Sequence, residues 1–96
     1  MSLHPYLLHH RESILSATTK HGAENVRVFG SMARGDARAD SDLALLVDVG
    51  PRRTPFFPGG LVADLEDLLG RKVDVSTEAG LHRSLRARIL DEAIPL

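Results

Sequence analysis

The connection between two apolar runs constrains this chain most. Val26 to Phe29 and Leu43 to Val49 read as strands, the first ended by Gly30 and the second by Gly50-Pro51. Gly35 to Asp40 is a loop of charged and small residues, and the span from Gly35 to Asp42 is too short for the full helix that a parallel crossover carries. The two strands are therefore expected to be antiparallel neighbours in one sheet. Side chains alternate along a strand, so Asp42, Ala44, Leu46 and Asp48 share one face of the second strand. Leu43, Leu45, Val47 and Val49 share the other, and that apolar face must meet helices.

The flanking segments supply those helices. From about His4 to Lys20, Leu7, Leu8, Ile14, Leu15 and Thr18 form a helical stripe; Pro5 suits the first turn and Gly22 the position past the end. His9 and His10 diverge by about 100° on such a helix, which favours solvated surface over a shared metal. Met32 to Gly35 can form one helical turn. Pro51 to Gly60 is a proline-rich loop, in which Phe56 and Phe57 are either interface anchors or a staple onto the next helix. That helix, Leu61 to Leu69, carries Leu61, Val62, Leu65, Leu68 and Leu69 on one side and stops at Gly70. Lys72 to Ser76 alternates as a third strand. Leu81 to Ala93 is a last helix with Leu81, Leu85, Ile89 and Ala93 on one face and Arg83, Arg86 and Arg88 as a solvated face. The expectation is a single α/β (α+β) domain over residues 1–96, with a three-stranded mixed sheet covered by helices.

Composition narrows the function classes. A net charge of −1 lacks the basic surplus of a protein that binds nucleic acid through its phosphates, and aromatic residues are too few for base-stacking platforms. No apolar run reaches the roughly 20 residues that span a bilayer, so no membrane role is expected. The start, MSLHPYLLHHRE, lacks the pattern of a signal peptide, and there is no cysteine; both fit a cytoplasmic setting.

The chemistry concentrates between Gly30 and Asp48. Gly30 permits close backbone approach to a ligand, Ser31 can cap the turn that follows, and Arg34 adds a planar donor set suited to phosphate. Each feature also suits an ordinary strand-to-helix connection. Asp42, at the start of the second strand, faces away from the apolar side. A carboxylate facing bound phosphates needs a cation between them, and Mg²⁺ takes oxygen ligands from both. Asp74, flanked by Val73 and Val75, is either a solvent-facing residue or a second member of the same metal site.

The pattern Gly30-Ser31, then Ser41-Asp42, with Asp74 on a later strand, resembles the signature of the DNA polymerase beta-like nucleotidyltransferase superfamily. GSMARGDARADSDLALLV, LVADLEDLLGRKVDVST and LHRSLRARILDEAIPL resemble the minimal nucleotidyltransferases (MNT) that partner HEPN toxins. The resemblance implies a small nucleotidyltransferase fold. It implies that Gly30 and Ser31 hold nucleotide phosphates and that Asp42 is a metal-binding carboxylate. Asp74 would be the carboxylate that also helps activate the attacking hydroxyl. Arg34 and Asp36 match the family's Arg-Gly-acidic loop, with Asp36 a loop-ordering partner. The cofactor would be Mg²⁺, with ATP as substrate and a tyrosine of a HEPN ribonuclease toxin as acceptor.

At the second metal-binding position of that pattern stands Ala44. Alanine coordinates nothing, so the second of two metals should be weakened or lost, at a cost on the order of a thousandfold in rate. The chain is thus expected to be nearly inactive while still binding nucleotide. Two origins are open for Ala44: an introduced change in an enzyme, or a natural protein kept for binding. The alternatives to an adenylylating antitoxin are an antitoxin that acts by contact alone and a small-molecule nucleotidyltransferase.

Overall fold

The computed structural model describes residues 4–96, so the reading that touches Met1 to Leu3 lies outside the described residues. Helix α1 (Pro5–Lys20) is capped by the His4 side chain, whose Nδ1 accepts from the Tyr6 amide at 3.1 Å. Its core face is Leu7, Ile14 and Thr18. Leu8, expected in the same stripe, is exposed, because neighbours on a helix point about 100° apart.

Strand β1 (Ala23–Phe29) begins three residues before the apolar run that marks it in sequence. Its polar opening hides it: the β1–β2 register shifts between Glu24 and Arg27, where Asn25 adopts φ 49°. Helix α2 (Ser31–Arg34) is a single turn closed by Gly35. Strand β2 (Leu43–Val49) pairs antiparallel with β1, as the short connection requires. Helix α3 (Gly59–Leu69) then carries the chain across to strand β3 (Val73–Thr77), which lies parallel to β2. Helix α4 (Arg83–Glu92) is followed by a strand the sequence did not reveal, β4 (Ile94–Pro95), antiparallel to β1.

The sheet therefore has four strands rather than three, in the order β3-β2-β1-β4. A two-residue strand has no periodicity to read, and a proline is admissible there because β4 is an edge. Val28, Leu43, Leu45, Val47, Val73 and Val75 form the buried face under α1 and α3. Val49, expected on that face, is partly exposed at the strand's end. No residue of α4 is buried, and Leu85 stands half exposed; the predicted apolar face of this helix does not enter the core. Phe56 and Phe57 part company, with Phe57 packed against the core and Phe56 92% exposed at φ 62°. None of the described helices is long and apolar enough to cross a membrane.

Candidate active site

The sheet face opposite the core carries the sequence-predicted site. Phe29 pairs with Ala44, and Ala44 pairs with Asp74, so residues of three strands stand in one row. Gly30 follows Phe29 at φ 81° and ψ −154°, a conformation that essentially only glycine adopts. A Cβ at residue 30 would lie 3.5 Å from the Ala44 Cβ, so the turn leans directly over position 44. The Gly30 carbonyl accepts from the amides of Ala33 and Arg34, at 3.1 and 3.0 Å. The amides of Ser31 and Met32, at the first positions of α2, have no acceptor within the helix.

Asp42 immediately precedes β2, two residues before Ala44 and on the same side by alternation. Asp42 and Asp74 are both exposed, and neither makes a side-chain hydrogen bond or ion pair among the described residues. The loop that delivers Asp42 is braced. Ser41 Oγ accepts from the Arg38 amide at 2.7 Å, and Arg71 donates to the carbonyls of Ser41 (2.9 Å) and Ala39 (3.1 Å). The Arg71 guanidinium in turn lies 4.1 Å from the centre of the Tyr6 ring. Sequence reasoning missed Arg71; a lone arginine after a helix-ending Gly70 gives no signal of what it reaches.

Arg34 lies beside the turn, but its partners are internal. Its Nη1 donates to both oxygens of Glu92, at 3.2 and 3.3 Å, and its Nε reaches Asp36 at 3.4 Å. Glu92 first and then Asp36 hold this guanidinium even more firmly protonated than usual. Glu92 also accepts from the Gly30 amide at 2.6 Å, a contact no spacing in the sequence announces. Further along the same face, Arg27 is nearly buried between Asp48 (2.9 Å) and Glu78 (3.1 Å).

Two free carboxylates on one face offer hard oxygen ligands of the type Mg²⁺ accepts. No group of three or more histidine, cysteine or acidic side chains able to hold a metal converges among the described residues. The donors present fit one ion whose remaining positions are filled by water and ligand oxygens, not a closed protein cage. Ala44 occupies the centre of this arrangement and contributes only a methyl group.

A four-stranded sheet with a Gly-Ser turn over its free face defines a nucleotide-transfer scaffold, and comparison places the chain. It belongs to the nucleotidyltransferase domain family, which matches residues 11–96. The protein adenylyltransferase MntA of Thermococcus cleftensis is 37% identical over 90 residues, covering 86% of this chain and 89% of that protein. A solved structure described as a minimal nucleotidyltransferase superposes with a TM-score of 0.79 at 52% identity, covering 94% of this chain and 92% of the other. A chain of a toxin–antitoxin crystal structure with AMP-PNP gives a TM-score of 0.73 at 16% identity, covering 88% and 69%; that likeness speaks for the fold alone.

Proposed function

We propose that this chain is an antitoxin of the minimal nucleotidyltransferase type, built to transfer AMP from Mg-ATP to a tyrosine hydroxyl of a HEPN ribonuclease toxin. The observation that carries the reading is the row Phe29, Ala44, Asp74, with the Gly30 turn over Ala44 and Asp42 beside it on the same face. The family membership and the name of the Thermococcus cleftensis relative support it.

In this reading the amides of Ser31 and Met32 face the nucleotide's phosphates, and Asp42 and Asp74 supply the oxygen ligands for Mg²⁺. The ion, when bound, neutralises phosphate charge and steadies the departing pyrophosphate. The acceptor hydroxyl attacks the α-phosphorus, and the bond from that phosphorus to the bridging oxygen breaks. AMP remains on the acceptor oxygen, and the hydroxyl proton passes to Asp74. The described residues form no separate acceptor-binding unit, so in this reading the partner supplies the other wall of the cleft.

Ala44 removes the carboxylate that would bridge two ions, so the chain binds nucleotide and transfers it poorly. Calorimetry with Mg-ATP tests the binding, and transfer of labelled AMP to a candidate toxin by the chain and by Ala44→Asp tests the chemistry. The absence of labelling by Ala44→Asp with every candidate partner would overturn the enzymatic reading. A second reading, neutralisation by contact alone, draws on Phe56, whose exposed ring in a left-handed backbone conformation suits an anchor in a partner. Neutralisation that proceeds without ATP would favour it.

A further inference from the structure

The strand missed by sequence reading places one more side chain at the site. Val28 pairs with Ile94 and Arg27 with Pro95, and the Leu96 amide donates to the Val26 carbonyl at 2.9 Å. Arg11 of α1 donates to the Leu96 carbonyl at 2.8 Å, and the Leu96 side chain is buried. The end of the described chain is thus fixed against β1 by its backbone. Glu92 ends α4 two residues before Ile94, and its carboxylate accepts from the Gly30 amide at 2.6 Å. The Glu92 side chain is only 16% exposed, so its charge is partly desolvated and needs a counter-ion, which Arg34 provides. Gly30, Arg34 and Glu92 therefore form a closed set: strand end, turn and C-terminal helix.

We propose that Glu92 is a positioning residue for the Gly30-Ser31 turn, with Arg34 acting as its counter-ion rather than as a phosphate ligand. This rests on the reading of the turn as the place where nucleotide phosphates bind. Gly30 has several backbone conformations of similar energy open to it, so its surroundings must select the one that forms the turn. The β1–β2 pairing fixes one side of the residue, and Glu92 fixes the amide on the other. Pairing with Arg34 keeps the carboxylate's charge from repelling an incoming triphosphate.

The test uses the full chain with Glu92→Ala, Glu92→Gln and Arg34→Gln. Amide hydrogen exchange is read by NMR, and affinities for Mg-ATP and for adenosine are read by calorimetry. Glu92→Ala should accelerate exchange at Gly30 and leave Val28 and Leu45 protected. It should weaken Mg-ATP roughly tenfold, the scale of a lost charged hydrogen bond, with adenosine unchanged. Glu92→Gln retains an acceptor for Gly30 and should recover most of the affinity. Arg34→Gln should weaken Mg-ATP by leaving Glu92 unbalanced, which supplies a readout if Glu92→Ala does not fold. An unchanged Gly30 exchange rate in Glu92→Ala would overturn the proposal. So would an unchanged Mg-ATP affinity, and so would a tighter one, which would make Glu92 a competitor of phosphate. Failure of the unsubstituted chain to bind Mg-ATP would instead overturn the nucleotide reading, and Gly30 exchange alone would then decide whether Glu92 holds the turn.

Discussion

The two faces of β2 are built from consecutive residues and have almost nothing else in common. Leu43, Leu45 and Val47 are fully buried beneath α1 and α3. Asp42, Ala44 and Asp48 look the other way, toward Gly30, Asp74 and Arg27. Strand alternation separates the residues that hold the fold from those that line the candidate site, one position apart. Leu46 breaks the symmetry: it lies on the functional face, outside the main core cluster, and yet is fully buried. The functional face is therefore solvent-accessible at the Gly30 end and covered in its middle.

Substitutions on the two faces should therefore move different observables. The largest effect is expected at the Gly30 end of the functional face. Ala44→Asp should raise AMP transfer on the order of a thousandfold, about 4 kcal/mol of barrier, while the urea unfolding midpoint changes little. A large stability change without a gain in transfer would break the comparison. On the core face, Leu45→Ala should cost about 2–5 kcal/mol of stability in urea unfolding, because a fully buried side chain leaves a cavity. Asp42→Asn should show the opposite signature: stability within about 0.5 kcal/mol, as for an exposed unpaired residue, and clearly weaker Mg-ATP binding by calorimetry.

Gly30→Ala sharpens the boundary between the faces. The added Cβ meets only the Ala44 methyl at ordinary contact distance, so the cost is backbone strain, on the order of 1–3 kcal/mol in thermal unfolding. The smallest effect lies away from both faces, where His21 Nε2 and Asp64 Oδ2 approach to 2.6 Å and Thr54 Oγ1 meets His21 Nδ1 at 2.8 Å. The hydrogen bond from His21 holds the Asp64 carboxyl below its ordinary value of 3.8. A depressed carboxyl pKa contributes stability above the unfolded value, and that contribution is lost as pH falls through the folded one. Acid unfolding below about pH 4 should therefore be steeper in the unsubstituted chain than in Asp64→Asn. Identical acid limbs for the two would remove this pair from the account.

Much of the fold was legible in the chain. Leu43 to Val49 is an apolar run interrupted only by Asp48 and ended by Gly50-Pro51, which reads as a strand, and the short loop before it dictated an antiparallel neighbour. The helical stripe of α3 and the alternation of Lys72 to Ser76 were equally plain, and the parallel crossover between β2 and β3 places that helix between them. The candidate site was half legible. Alternation put Asp42 and Ala44 on one side, but only the β2–β3 register brings Asp74 opposite Ala44. Arg71, Glu92 and Arg27 carried no signal, since each acts through a partner at least 21 residues away.

Local sequence thus determined which segments are strands and helices and which side of β2 is apolar, because periodicity and turn chemistry are properties of neighbouring residues. Tertiary structure alone decided that Leu46 is buried, that a two-residue fourth strand closes the sheet, and that Arg34 answers Glu92. Those outcomes depend on register between distant strands. A shift of one residue reverses every side chain it carries, and no short stretch of sequence encodes that register on its own.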